Sequence, residues 1–215
     1  MSSNKYGYIA DTGPEQAFRS NTGVFNPADI NELIAEDKWT DFGQLELIET
    51  QSVSGSSAID FKNLQESIYN VHFVTMPTME TTSTGHPQAS KMQLRFSNDG
   101  GSTFESGASD YQWVNKYVNR SDGEGVSKDS ADSSIEWTPR CNSGEPTSAY
   151  MYIHNLGDAT KYKFTSSHTT LNVDQGEFFF GGGFYMKAES INAIRFYNDY
   201  AMTGSLSLYG IRFTS

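Results

Sequence analysis

The sequence predicts an all-β protein, an antiparallel jelly-roll-like β-sandwich with an extended N-terminal arm that carries one short helix. Residues 92–96 alternate apolar and polar side chains and run into an Asn-Asp-Gly-Gly turn. Similar runs, separated by Gly, Ser, Asn and Asp, recur to the C-terminus. Helical periodicity is almost absent beyond residue 44, which disfavours a fold with helices between parallel strands.

Residues 1–43 form the first predicted domain, an arm in which isolated aromatic side chains lie among Gly and Pro. Within it, residues 26–36 begin with a capping Asn and a Pro and carry apolar side chains at helical spacing, which predicts a short helix. A helix of this length needs a surface to pack on, either its own domain or another subunit. The candidate assembly contacts of the arm are Tyr6, Tyr8, Phe18, Phe25, Ile30 and Leu33.

Residues 44–215 form the second predicted domain, the sandwich, with ten or eleven strands. A Gly-Ser-Ser turn at residues 55–57 is expected to separate the first two strands. The polar stretches 78–90 and 121–133 are expected to be exposed loops. The predicted strands are residues 45–53, 58–61, 69–76, 92–96, 111–118, 134–137, 149–154, 162–169, 177–180, 194–197 and 205–213.

Two turn-rich segments carry further expectations. The turn at residues 98–101 is expected to close a β-hairpin between the strand at 92–96 and a second aromatic strand. Three consecutive glycines, 181–183, are flanked by Phe side chains and lack the strand-to-helix context of a phosphate-binding loop. We expect them in a loop, either one that another chain approaches closely or a flexible connection between core strands.

Composition excludes several classes of partner. The formal net charge is −11 and the 15 Lys and Arg residues are not clustered, which argues against nucleic acid. The chain has no apolar run of about 20 residues for a membrane span and no signal-peptide core at its N-terminus. We therefore expect synthesis and assembly in the cytosol. The single cysteine, Cys141, cannot form an intrachain disulfide and is expected to be a solvent-side thiol.

No residue pattern predicts catalysis, a cofactor or a metal site. The four histidines are scattered without zinc-ligand spacing, and His72 and His154 are expected to be hydrogen-bonded within the sheet. Acidic pairs such as Asp129 with Asp132 are expected to be solvated loop residues. Residues 98–100 and 121–124 only partly match a calcium loop, so weak calcium binding stays open.

One aromatic strand leaves two interpretations open. Tyr111, Trp113 and Tyr117 alternate along it and share a strand face. Buried, they would form a core stripe; exposed, they would offer a platform on which sugar rings stack.

Four segments resemble virion structural proteins of tailed bacteriophages: residues 94–111, which include the Asn-Asp-Gly-Gly turn, and residues 42–48, 152–158 and 204–211. The likeness extends over residues 42–215 and supplies no catalytic residues. It implies a noncatalytic virion component that projects from the capsid or the tail. We expect its N-terminal arm to dock onto other virion proteins or a neighbouring copy, with a homotrimer as the favoured oligomer.

The residues themselves suggest two other functions. A carbohydrate-binding module could recognise host surface glycans through exposed Tyr and Trp, with Tyr111, Trp113 and Tyr117 as the candidate contacts. A glycan hydrolase or lyase rests only on the abundance of acidic and aromatic residues.

Overall fold

The structure is a computed structural model that describes residues 45–84, 90–120, 123–172 and 176–211, with isolated helical positions at Ala28, Asn31 and Ala35. The chain divides into two units, Met1–Phe42 and Gly43–Ser215. The six candidate contacts of the arm, Tyr6, Tyr8, Phe18, Phe25, Ile30 and Leu33, lie outside the described residues. The arm's helix and its docking role therefore stay predictions.

The second unit is built from antiparallel strands, as the alternation of its sequence predicts. Every pairing between the described strands is antiparallel, and the buried positions follow the two-residue period along most of them. The ten strands are β1 Leu45–Phe61, β2 Val71–Thr81, β3 Met92–Ser97, β4 Tyr111–Asn119, β5 Glu124–Asp132, β6 Ile135–Thr138, β7 Thr147–His154, β8 Lys163–Leu171, β9 Glu177–Tyr185 and β10 Ala193–Ile211.

A single hydrogen-bonded sheet contains all ten strands, in the order β5-β4-β9-β8-β7-β2-β10-β3-β6 with β1 paired to β10. The 19-residue strand β10 joins the two parts of this sheet, because its first residues pair with β3 and its last ten with β2. Strand β1 runs beside β10 along most of its length. The sheet is nearly closed into a barrel.

The sheet folds over so that β6 covers the inner side of β4, β8 and β9. Asn115 Nδ2 on β4 donates to the Glu136 carbonyl at 3.1 Å, and Thr169 Oγ1 on β8 donates to the Trp137 carbonyl at 3.4 Å. The inner side chains of β8 are mostly small, including Thr165 and Ser167, which leaves room for β6. The largest apolar side chains of the resulting core are Trp137, Tyr111, Tyr185, Phe61, Phe96 and Phe196.

The predicted hairpin after residue 96 is wrong in its pairing. Strand β3 pairs with β10 and β6, whereas β4 pairs with β5 and β9. The turn itself forms, with positive φ at Gly100 and Gly101 and with the Asp99 carboxylate accepting the backbone N–H groups of Ser102 and Thr103. The chain then continues into β4, which lies elsewhere in the sheet, between β5 and β9. A correct turn signal therefore does not identify the strand partner.

Three polar or glycine-containing stretches also differ from expectation. The predicted loop at 121–133 contains strand β5, which is polar because it pairs only with β4 among the described strands and is largely exposed. The predicted turn at Gly55 is a bulge within β1, where φ is 85°. The two predicted strands at the C-terminus are one continuous strand, β10.

Candidate binding surface

Strands β7, β8 and β9 carry aromatic side chains on the side that faces away from the core. Met151 and Ile153 of β7 are buried, so their neighbours Tyr150 and Tyr152 point outward. The same alternation directs His168 of β8 outward. We call the outward group the aromatic face, which comprises Phe73, Tyr150, Tyr152, His168, Phe180 and Tyr209.

Rings of the aromatic face contact one another across five strands. Phe73 is the centre of one group, with ring centroids 4.7 Å from Tyr152, 5.8 Å from Tyr150 and 6.2 Å from Tyr209. Tyr150 stacks on His168 at 5.1 Å, and His168 lies 6.3 Å from Phe180. The contacts follow strand register, because Tyr209, Phe73 and Tyr152 are direct cross-strand partners, as are Tyr150, His168 and Phe180.

A concave region of about 770 Å³ lies beside the aromatic face, over β4, β5, β8 and β9. Phe164 and Phe184 stand on one side of it, with ring centroids 6.0 Å apart. Lys128, Asp129 and Ser130 of the edge strand β5 line it as well. We call this region the glycine groove, after Gly181, Gly182 and Gly183. Its remaining lining residues are Gln112, Trp113, Val114 and Thr165.

The three glycines lie inside strand β9, so both loop interpretations of the sequence are wrong. A Cβ at Gly181 would overlap the carbonyl oxygen of Val114, and one at Gly182 would overlap that of Thr165. Glycine is therefore required here by the close approach of the β4 and β8 backbones on either side of β9. Of the three, only Gly182 lies at an outward position, and its missing side chain makes the outer surface concave at this point.

A second cavity, of about 360 Å³, is charged. Lys91 Nζ lies 2.6 Å from the buried carboxylate of Glu136, and Arg140 lies 3.8 Å from Glu177. Burial raises the pKa of Glu136, and the hydrogen bond and charge of Lys91 oppose that rise. Because each carboxylate already faces a cation, the arrangement is that of internal ion pairs beneath the β5 edge.

Two of the predicted glycan contacts are core residues. Tyr111 is fully buried, and its hydroxyl accepts the Phe96 N–H and donates to the Glu105 carbonyl, both at 3.0 Å. Trp113 is buried, and its Nε1 donates to Asp132 at 2.9 Å. A ring enclosed by other side chains presents no face to a ligand, so the platform interpretation is corrected for these two residues.

Tyr117, the third predicted contact, is half-buried. Its ring stacks on Phe179 with centroids 5.2 Å apart, in a small cluster with Leu171. It also lines the charged cavity. Tyr111, Trp113 and Tyr117 all face the inner side of β4, whereas the exposed rings belong to the outer side of its neighbours.

The histidines and the cysteine occupy different environments. His72 is buried with Nε2 2.7 Å from the Leu64 carbonyl, and burial lowers its pKa, as it does for His154. His168 belongs to the aromatic face, and His86 lies outside the described residues. Cys141 is buried, not solvent-side, and burial raises the pKa of its thiol to about 11. Such a thiol is protonated at neutral pH and is a poor nucleophile.

The turn that partly matches a calcium loop uses its carboxylate internally. Asp99 accepts hydrogen bonds from Ser97, Ser102 and Thr103, and the bonds from Thr103 contribute most to holding its pKa well below the usual range. Across the described segments of the chain, no three His, Cys, Asp or Glu side chains are grouped closely enough to hold a metal ion. Nor does any helix in those segments have the length and apolar character to cross a membrane.

The sequence of β7 indicates an aromatic side, but its alternation does not show which side of the strand is exposed. In β7, Tyr150 and Tyr152 alternate with Met151 and Ile153, so both sides of the strand are apolar. Such a pattern is typical of a strand covered on both faces. Here only the inner side is covered within the described unit.

No protein-family model matches the chain, and no curated protein matches it.

Proposed function

We propose that this chain is a noncatalytic structural protein of a tailed bacteriophage virion, which projects from the capsid or the tail and docks through its N-terminal arm. The observation that carries the proposal is the aromatic face, a continuous group of outward-pointing rings across five strands. A contiguous exposed apolar surface is typical of a site that another protein covers. An assembly protein has such a surface for its neighbours.

The composition of the aromatic face supports contact with protein. It contains three Tyr, two Phe and one His, and the other outward residues of β7 and β8 include no Lys, Glu or Asp. The cores of protein interfaces are enriched in aromatic residues and depleted of charge. On a chain of net charge −11, an uncharged region is also where two copies approach with least repulsion. We therefore propose that copies associate through this face, with a homotrimer as the favoured assembly.

The assignment to a virion is supported by the resemblance of residues 42–48, 94–111, 152–158 and 204–211 to phage structural proteins. The jelly-roll topology and the short helix of the arm belong to the same proposal.

An antibody against residues 44–215 tests the location. We expect immunogold electron microscopy of intact particles to label the capsid or the tail at regular positions. Label confined to lysate protein, with none on purified particles, would contradict the proposal. Sedimentation equilibrium of the purified chain tests the oligomer, with an expected mass three times the 23.9 kDa of one chain.

Deletion of residues 1–41 tests the arm. We expect the shortened chain to fold, as judged by an unchanged β-sheet circular dichroism spectrum, and to be missing from purified particles. The matched control is a full-length chain in which the arm's proposed contacts are kept and the exposed Phe178 is replaced by Ala. Incorporation of the shortened chain at the level of this control would remove the docking role.

A further inference from the structure

We propose that the glycine groove binds a neutral oligosaccharide. This activity goes beyond the structural role proposed above. Its proposed contacts are outward side chains, whereas the rings of Tyr111 and Trp113 on β4 are buried. The groove combines exposed aromatic rings, a floor of small side chains and a polar border, all on strands of one sheet. A site of about 770 Å³ with few polar groups around an apolar surface falls within the ordinary range for small ligands.

The floor of the groove is a cross-strand row. Gly182 of β9 and Val114 of β4 are direct partners, and Lys128 of the polar border follows on β5. Two strand spacings give this row a length of about 10 Å. The row is thus a track across the sheet, suited to a short chain of linked sugar rings.

Phe164 and Phe184 provide the apolar wall. They are direct cross-strand partners with ring planes tilted by 38°, and Phe164 is 45% exposed. Aromatic rings that remain accessible on one side offer a flat apolar surface to the C–H face of a sugar. Because both rings belong to central strands of the sheet, their backbones are held in place before a ligand arrives.

The polar border distinguishes a sugar from a purely apolar occupant. Gln112, Lys128, Asp129 and Ser130 place amide, ammonium, carboxylate and hydroxyl groups around the opening, and sugar hydroxyls need both donors and acceptors. The net charge of −11 disfavours a polyanionic glycan by long-range repulsion, which favours a neutral one. A second copy of the chain would find a flatter and less polar surface on the neighbouring aromatic face.

The test begins with the purified full-length chain on an array of neutral oligosaccharides, followed by calorimetric titration of the strongest binder. We expect Phe164→Ala to raise the dissociation constant by about tenfold or more, because one of the two stacking rings is lost. The matched control is Phe178→Ala. Phe178 lies on the same outer side of the neighbouring strand, is 58% exposed and does not line the groove, so we expect a change of less than about twofold.

A second variant fills the groove without removing a side chain. Val114 is 50% exposed on the floor, and Val114→Tyr suits a β-strand while occupying the ligand's volume, so we expect it to abolish binding. No binding by the wild-type chain to any neutral glycan would overturn the proposal, as would equal losses in Phe164→Ala and Phe178→Ala. Loss of self-association in Val114→Tyr, without any glycan binding by the wild type, would show that the groove holds a second copy instead.

Because these measurements use the isolated chain, their outcome is independent of whether the protein is found in a virion. A chain absent from particles can still bind the sugar, and a particle component can fail to bind it.

Discussion

Tyr150 and His168 face each other directly on β7 and β8, and their rings stack with centroids 5.1 Å apart and an interplanar angle of 8°. They join the ring group around Phe73 to Phe180 on β9. This pair therefore makes the aromatic face continuous across the central strands.

Replacing His168 by Ala should lower the free energy of unfolding by about 0.5–1.5 kcal/mol, because an aromatic pair contributes this much beyond its buried area. Urea denaturation measures the change. Thr170→Ala is the control, since Thr170 is exposed on the same side of β8. A double-mutant cycle with Tyr150→Ala should return a coupling of similar size, and additivity of the two single changes would show that the stacked rings do not interact.

Gly182→Ala should destabilise the protein by at least about 2 kcal/mol, because the new Cβ would overlap the Thr165 carbonyl oxygen on the adjacent strand. Thermal unfolding followed by circular dichroism measures the loss. At Gly144 φ is +74° and a Cβ meets no atom within 4 Å, so Gly144→Ala carries only backbone strain. We expect this control to cost about 1 kcal/mol. Equal costs at the two positions would contradict the close packing of β8 and β9.

Tyr111→Phe tests whether this residue is structural. The variant leaves the buried Phe96 N–H without its acceptor, and an unsatisfied buried donor costs about 1–3 kcal/mol. Chemical denaturation should show this loss, while affinity for any glycan stays unchanged. An altered glycan affinity with undiminished stability would restore Tyr111 as a ligand contact.

Lys91→Met should destabilise the protein by about 3 kcal/mol at neutral pH, because it leaves the buried Glu136 carboxylate without its cation. The loss should shrink as the pH falls, since burial raises the pKa of Glu136 and protonation removes the charge. Urea denaturation at several pH values measures both effects.

The control for this prediction is Lys116→Met. Lys116 also lies 2.6 Å from a carboxylate, that of Glu124, but this pair is exposed at the sheet edge. We expect little change there. A similar loss at both lysines would show that burial is not what makes the Lys91 pair important.

The burial of His72 predicts that the free energy of unfolding depends on pH. Burial lowers its pKa below 6.5, so the unfolded chain binds a proton more readily than the folded one. The stability contributed by neutral His72 is fully present above pH 6.5 and is lost as the pH falls below that value. His72→Gln keeps a donor for the Leu64 carbonyl, and its unfolding free energy should fall less between pH 7 and pH 5 than that of the wild type. Parallel curves for the two proteins would refute this origin.

Local chemistry was sufficient to predict most of the strands, though not β5, and many of their faces. The alternation in residues 92–96 predicts that Met92, Leu94 and Phe96 share a dry side, and all three are fully buried. The turn at 98–101 was also readable, because Gly100 and Gly101 adopt positive φ. Strand partners were not readable: β3 could pair with any strand that offered an open edge, and a turn signal extends only a few residues along the chain.

The sequence by itself determined an antiparallel all-β unit, because a two-residue period of side-chain polarity follows from the geometry of an extended backbone. Only the tertiary structure decided which apolar side faces outward. Tyr111 and Tyr150 have equally strand-like surroundings, yet β6 covers the inner side of β4, whereas no described strand covers the outer side of β7. Exposure depends on what packs above a strand, and that is set by residues far away in the chain.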